Sequence, residues 1–277
     1  MIKVVMFGDV MGEAGLKVLE EKLPAFITEQ KPAFIMINGE NSANGFGISE
    51  ETLKRMLNCG ADVISSGNHI WEKRDFWPFL DSEERVLRPA NYPQDFGAGP
   101  IGPRPADQKT PGRGWKIFQK NIDGSNIGFL AINLQGRELM YNIECPFRCF
   151  DAIEKVQTQK SIVLVDFHAE SSKEKEAFGF YLDGRAAVVA GTHTHVQTAD
   201  EKILPKGTAY ITDLGMTGVK NSVIGMEPKI CIDRARNQVL YRMEAAADSG
   251  SARIQGIIAG IDETSGKAVT IERLNID

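Results

Sequence analysis

Between residues 2 and 65 the chain alternates β-branched apolar runs with stretches of helical spacing, and that order restricts it to a fold with a largely parallel inner sheet. Residues 2–7, from Ile2 to Phe7, read as a strand, and residues 15–29 carry Leu16, Leu19, Leu23 and Phe26 at helical spacing before Pro32 intervenes. Residues 33–38 form the next strand. A helix over residues 49–58 then opens with a capping-box start, Ser49 to Thr52, with Glu50 and Glu51 in its first turn, and residues 62–65 give a third strand.

The regular pattern lapses between residues 75 and 114, where Pro78, Pro89, Pro93, Pro100, Pro103, Pro105 and Pro111 accompany Gly97-Ala98-Gly99. This stretch reads as loop, or as a small cap within residues 71–114, and not as core, on an otherwise single domain spanning residues 1–277. Residues 115–122 and 126–133 read as strands joined by the hairpin signal Asp123-Gly124. A helix over residues 151–159 leads to a strand at 162–165, and a helical segment at 171–176 carries Lys173 and Lys175 on what reads as a solvated face. Further strands are expected at residues 186–190, 209–212, 229–233, 239–244, 252–259 and 268–274.

All four histidines fall in short polar junctions that follow apolar runs: Gly67-Asn68-His69, Asp166-Phe167-His168-Ala169-Glu170 and Gly191-Thr192-His193-Thr194-His195. Asp9, and then Glu40 with Asn41, stand in the same relation to the first two strands. In an open α/β sheet the carboxyl ends of parallel strands gather on one edge, so these junctions can meet in one crevice. Taken singly, Asp9 can cap a helix, Glu40 and Asn68 can serve turns, and each histidine can be an ordinary loop group. Together Asp9, Glu40, Asn41, Asn68, His168, His193 and His195 are the pattern of a metal site. They are too many donors for one tetrahedral ion and suit two ions sharing a bridging carboxylate such as Glu40. Two divalent cations against two carboxylates leave about +2, which a bridging hydroxide lowers to about +1, matched to a phosphodiester monoanion.

Composition removes several other classes. A net charge of -5 argues against a general electrostatic grip on nucleic acid, so no DNA partner is expected. No apolar stretch approaches the roughly 20 residues that span a bilayer. Cys59, Cys145, Cys149 and Cys231 include no C-x-x-C pair, and the chain enters a strand directly from Met1, so a reducing cytoplasm is the expected compartment.

The ordered set Gly8-Asp9, Gly39-Glu40-Asn41, Gly67-Asn68-His69, His168 and Gly191-Thr192-His193-Thr194-His195 resembles the calcineurin-like metallophosphoesterases, whose pattern is D-x-H, G-D, G-N-H-D/E, H and G-H-x-H. It is most similar to the bacterial YmdB branch, which residues 191–200, 213–218 and 224–226 also match. Two positions depart from the wider pattern. Met11 stands where D-x-H has a histidine, for which Asn41 can substitute an oxygen, as in the YmdB branch. Ile70 follows the G-N-H, where a carboxylate is usual; Glu72 is near enough to orient His69, or can start a helix.

The resemblance implies a metallophosphoesterase-like α/β sandwich of two mixed sheets flanked by helices, with the metal site at the carboxyl ends of strands. It implies that Asp9, Glu40, Asn41 and His195 hold one ion, that Glu40, Asn68, His168 and His193 hold the other, and that His69 is the catalytic acid. The implied activity is hydrolysis of 2',3'-cyclic, and also 3',5'-cyclic, nucleotides or RNA-derived diesters by in-line attack of a metal-bridging hydroxide. Two divalent or mixed-valence ions of iron, manganese or zinc suit the donors. A phosphomonoesterase or protein phosphatase on the same scaffold, and a non-catalytic metal-binding regulatory protein, are the alternatives. Phe46, Trp71, Phe76 and Tyr92 lie near the junctions and can stack on a base or pack internally, and Gly45-Phe46-Gly47 can offer N–H groups to an anion or be a plain loop. Hairpin edges and the Pro-rich stretch give surfaces for a homo-oligomer.

Overall fold

The structure, a computed structural model, describes residues 1–93, 110–157, 159–247 and 249–277. In chain order its first half comprises β1 (Ile2–Phe7), β2 (Asp9–Val10), α1 (Gly12–Gln30), β3 (Phe34–Asn38), α2 (Glu50–Asn58), β4 (Val63–Ser65), α3 (Trp77–Ser82), β5 (Trp115–Ile122) and β6 (Ser125–Gln135). There follow α4 (Pro146–Val156), β7 (Ser161–His168), α5 (Ser172–Tyr181), β8 (Val188–Thr192), β9 (Lys202–Ile203), β10 (Ala209–Ile211), β11 (Met216–Val219), α6 (Pro228–Asn237), β12 (Ala252–Ile261) and β13 (Ala268–Ile276).

One sheet runs β2-β11-β12-β1-β3-β4 with β13 added beside β12, and the other runs β5-β6-β7-β8-β10-β9. Each is mixed: β1, β3 and β4 are parallel neighbours, as are β6, β7, β8 and β10, while β12 and β5 join antiparallel. The apolar runs are continuous because both faces of the central strands are covered. Val4 and Met6 of β1, with Phe34 and Met36 of β3, point toward Phe129 and Ala131 of β6 and Val188 and Ala190 of β8. The Phe34 and Phe129 rings stack across this layer at 4.7 Å. The alternate residues Val5, Phe7, Ile35 and Ile37 pack outward on Leu16, Leu19 and Leu23 of α1 and on Leu53 and Met56 of α2. On the far side Leu130, Val165, Phe167 and Val189 meet Phe150 and Ile153 of α4 and Phe178 of α5. Helices therefore flank two sheets packed face to face, as the resemblance implied.

The predicted hairpin at Asp123-Gly124 is present, with Ile122 opposite Ser125 and positive φ at both turn residues (50° and 84°). The capping box closes as expected, Ser49 and Thr52 satisfying each other's N–H. Against the reading of the Pro-rich stretch as outside the core, Phe76, Leu80, Val86, Leu87 and Ala90 are buried in the core clusters, where their apolar side chains leave water, whereas Pro100, Pro103, Pro105 and the Gly97-Ala98-Gly99 run lie outside the described residues.

Two expected strands are absent. Residues 229–233 are the first turns of α6, because Pro228 presets the helical φ at its start and Lys229 pairs with Asp233 one turn on. Residues 239–244 find no sheet partner, and Val239, Leu240 and Tyr241 stay exposed. Among the described residues no helix is long and apolar enough to cross a membrane.

Candidate metal centre

The parallel strands β1, β3 and β4 of one sheet and β7 and β8 of the other end at a common edge, where their carboxyl-terminal junctions meet. Asp9 forms β2 directly after β1, Glu40 and Asn41 follow β3, Asn68 and His69 follow β4, His168 closes β7, and His193 and His195 follow β8. Asp9, Glu40, Asn41, His168 and His195 are buried, and His69 and His193 are partly exposed. Gly67 makes the approach possible, since a Cβ there would lie 2.2 Å from the His168 ring and 2.4 Å from Glu40 Oε2. His193 and His195 both adopt left-handed backbone, φ 97° and 65°, which turns their rings back toward the edge.

Around Glu40, the His168 Nε2 atom lies 2.9 Å from Oε1, and His193 Nδ1 and Asn68 Oδ1 lie 3.0 and 3.2 Å from that nitrogen. Glu40, His168 and His193 each offer a ligand atom within 4.8 Å of the others. Beside this cluster His195 Nε2 stands 3.6 Å from Asp9 Oδ1. Asp9 Oδ1 and Asn41 Oδ1 are buried without a hydrogen-bond partner. Asp9 does not cap α1, whose N-cap is Met11 with no side-chain cap bond.

The outer nitrogen of each imidazole is tied to an acceptor. His168 Nδ1–H donates to Thr192 Oγ1 (2.9 Å), whose own hydroxyl donates to Asp166 (2.7 Å). His195 Nδ1–H donates to the Ile224 carbonyl (2.8 Å), and His193 Nε2 faces Glu170 (3.1 Å). With one ring nitrogen fixed as a donor, the other, His168 Nε2, His193 Nδ1 or His195 Nε2, is aimed at the carboxylates, where it can hold a proton or offer its lone pair to a metal. Asn41 is oriented in the same sense: its Nδ2 donates to Gly45 O (3.0 Å), which aims Oδ1 inward. Buried carboxylates and imidazoles gathered this closely need positive charge among them, from protons on the rings or from a metal ion, and the donor set fits a metal.

The electrostatics follow. Burial opposes ionisation of Asp9 and Glu40, but the neighbouring imidazoles, His195 and His168 respectively, outweigh it and hold both carboxyls below their usual range. Burial also opposes protonation of His195, yet the Asp9 carboxylate raises it to about 9, whereas burial and the charge of His168 push His193 down to about 3. Asp166, shielded from water, rises to about 6.

His69 sits at the rim with 26% of its side chain exposed, its N–H donating to Glu40 Oε2 (3.1 Å) and its Nδ1 3.4 Å from Glu72. Of the two roles open to Glu72, the one beside His69 is seen. The rim opens into a cavity of about 430 Å³ lined by Phe46, Glu170, Thr194, Ile224, Met226 and Met243 as well as site residues. The Gly45 and Phe46 N–H groups bond to the Asn41 and Ala43 carbonyls, so neither is free for an anion.

All seven predicted ligands and His69 thus gather at one place, and three supports were missed. Asp166 lies two residues before His168 on the same strand face, a period-2 signal. Lys175 is not on a solvated face: it is buried, and its Nζ pairs with Asp213 at 2.7 Å. Lys173 beside it is exposed as expected. Asp213 in turn accepts the Thr194 N–H (3.1 Å), the Thr194 hydroxyl (2.8 Å) and the Gly215 N–H (2.9 Å), and so holds the turn carrying both terminal histidines. The spacing of Lys175, Phe178 and Leu182 at i, i+3 and i+7 marks that helix face as inward.

A sandwich of two mixed sheets with such a donor cluster at its strand ends is of the calcineurin-like metallophosphoesterase type. A family model described as YmdB-like protein matches residues 5–274, and the chain belongs to that family. The chain is 39% identical over 277 residues to the 2',3'-cyclic-nucleotide 2'-phosphodiesterase of Bacillus subtilis (strain 168), covering 100% of this chain and 97% of the relative. Among solved structures it is similar to a hypothetical protein from Thermus thermophilus, at 34% identity and TM-score 0.85 over 100% of both chains. It is also similar to a novel phosphatase from Mycoplasma pneumoniae, at 28% identity and TM-score 0.87 over 99% of this chain and 93% of the other.

Proposed function

We propose that this chain is a dinuclear metal-dependent phosphodiesterase acting on 2',3'-cyclic nucleotides, with 3',5'-cyclic nucleotides and RNA-derived ends as related substrates. The observation that carries the reading is the inward convergence of three imidazole nitrogens on Asp9 and Glu40, together with the unpartnered buried oxygens Asp9 Oδ1 and Asn41 Oδ1. Asp9, Glu40, Asn41 and His195 would hold one ion and Glu40, Asn68, His168 and His193 the other, with iron, manganese or zinc suited to the donors. When bound, such ions supply Lewis acidity to the phosphoryl oxygens and an activated water at neutral pH.

The chain's own residues supply the rest. With Nδ1 of His69 facing Glu72, the imidazolium form carries its second proton on Nε2, and that proton is the one the departing ribose oxygen takes up. Glu40 orients His69 through its backbone N–H. The described residues lining the cavity include no lysine or arginine, and Glu170 adds negative charge, so a singly charged diester is better matched than the dianion of a phosphomonoester. The Bacillus subtilis relative, named for a cyclic-diester activity, supports the same choice.

The reading is tested by elemental analysis of the purified protein together with hydrolysis of bis-p-nitrophenyl phosphate and 2',3'-cyclic AMP in added manganese. About two metals per chain with diester turnover is the expected result. Absence of both, with every added ion, would leave the non-catalytic alternative.

A further inference from the structure

Four aromatic side chains lie near the strand-end junctions, and the structure divides them. Phe76 is buried against Phe79, with parallel rings 6.1 Å apart. Trp71 packs edge-on against both Trp77 and Tyr92, at 6.0 and 5.3 Å. Phe46 alone of the four lines the cavity beside the metal centre, its ring edge-on to His69 at 5.2 Å.

Phe46 is held there by a tight turn. Asn44, Gly45 and Gly47 have left-handed φ of 58°, 89° and 78°, and the Gly45 carbonyl is the acceptor that orients Asn41. Behind the ring stand Met11, Met216 and Met226, with Met243 alongside. Ile224 extends the same wall: its carbonyl fixes His195, yet 46% of the residue is exposed. One continuous apolar surface of a phenyl ring, thioethers and a branched aliphatic chain therefore adjoins the donor cluster. Thioether sulfur and aromatic rings are polarizable surfaces suited to a flat π system, and a cavity of about 430 Å³ is of small-molecule size.

We infer that Phe46, Ile224, Met226 and Met243 form the subsite for the nucleobase of the diester, with the Phe46 ring as its stacking platform. This assignment rests on the phosphodiesterase reading above. Phe46, Ile224, Met226 and Met243 bring no polar side chain to read a base edge, so among the described residues this wall accepts any base by stacking, and purines exceed pyrimidines only through ring area.

The test compares 2',3'-cyclic AMP with its abasic counterpart, 1-deoxyribose 2',3'-cyclic phosphate, which presents the same ester to the same groups. The wild-type enzyme should show a KM about tenfold lower for the nucleotide, and Phe46→Ala and Phe46→Leu should each bring the ratio of the two KM values toward one. Equal KM values in the wild type, or a ratio kept in both variants, would overturn the subsite and leave the phosphodiesterase reading standing. Adenosine, which has no phosphate, separates the two claims through saturation-transfer NMR on the metal-loaded protein. Binding that weakens in Phe46→Leu supports the wall even if neither ester is hydrolysed, and no adenosine contact overturns it.

Discussion

Replacing Lys175 by methionine keeps an unbranched side chain in the space beneath Gly191 but removes the ammonium that faces Asp213. Both partners are 1% exposed, so water cannot take over the role of the lost cation. Removing one member of such a pair costs about 3–5 kcal/mol, because the remaining charge stays buried. Asp213 keeps its hydrogen bonds from Thr194 and Gly215, which places the expected loss near the lower end, about 3 kcal/mol. At roughly 2–4 °C per kcal/mol for chains of this size, melting should fall by about 6–12 °C. The measurement is a urea and thermal melt in chelator, so that metal binding does not mask the change. The double variant Lys175→Met/Asp213→Asn should be more stable than Lys175→Met, since an amide needs no counterion and still accepts the Thr194 N–H. A Lys175→Met melting temperature within about 2 °C of wild type, or a double variant no better than the single, would refute the argument that the pair is coupled.

His69→Ala should lower diester turnover by roughly 10²- to 10⁴-fold with metal content nearly intact, and loss of both together would make His69 a ligand. Glu40→Gln should strip at least one ion, and two metals per chain retained by elemental analysis would defeat the bridging role. The raised pKa of His195, about 9 in the metal-free chain against about 6.5 unfolded, gives it a stabilising effect that is complete below pH 6.5 and lost as pH rises through 9. A metal must displace that proton, so affinity should climb between pH 6.5 and 9 with proton release, and calorimetry in buffers of differing ionisation enthalpy that finds no release would exclude His195 as a ligand.

The donor residues were legible because each sits where an apolar run ends, and the residue types that bind metals are few. Their partners were less visible for a physical reason: a buried lysine or aspartate has the same letter as a solvated one. Lys175 and Glu174, both buried, lie between the exposed Lys173 and Glu176 on α5, and only the spacing of Lys175 to Phe178 hints that it points inward. Residues 229–233 hold the short apolar run Ile230-Cys231-Ile232, but such a run carries little strand preference without a sheet edge to join, and Pro228 starts a helix instead.

The sequence by itself determined the alternation of strands and helices through residue 65, and the placing of carboxylates, amides and imidazoles at strand ends, all properties of local periodicity and side-chain chemistry. Only the tertiary structure decided that the edges of two separate sheets meet. It brings Asn68 to His168 across 100 residues and Asn38 to Asp166 across 128, contacts set by sheet packing and register. The same packing chose which nitrogen of each imidazole is tied and which is free, and which of the four aromatic rings faces the cavity.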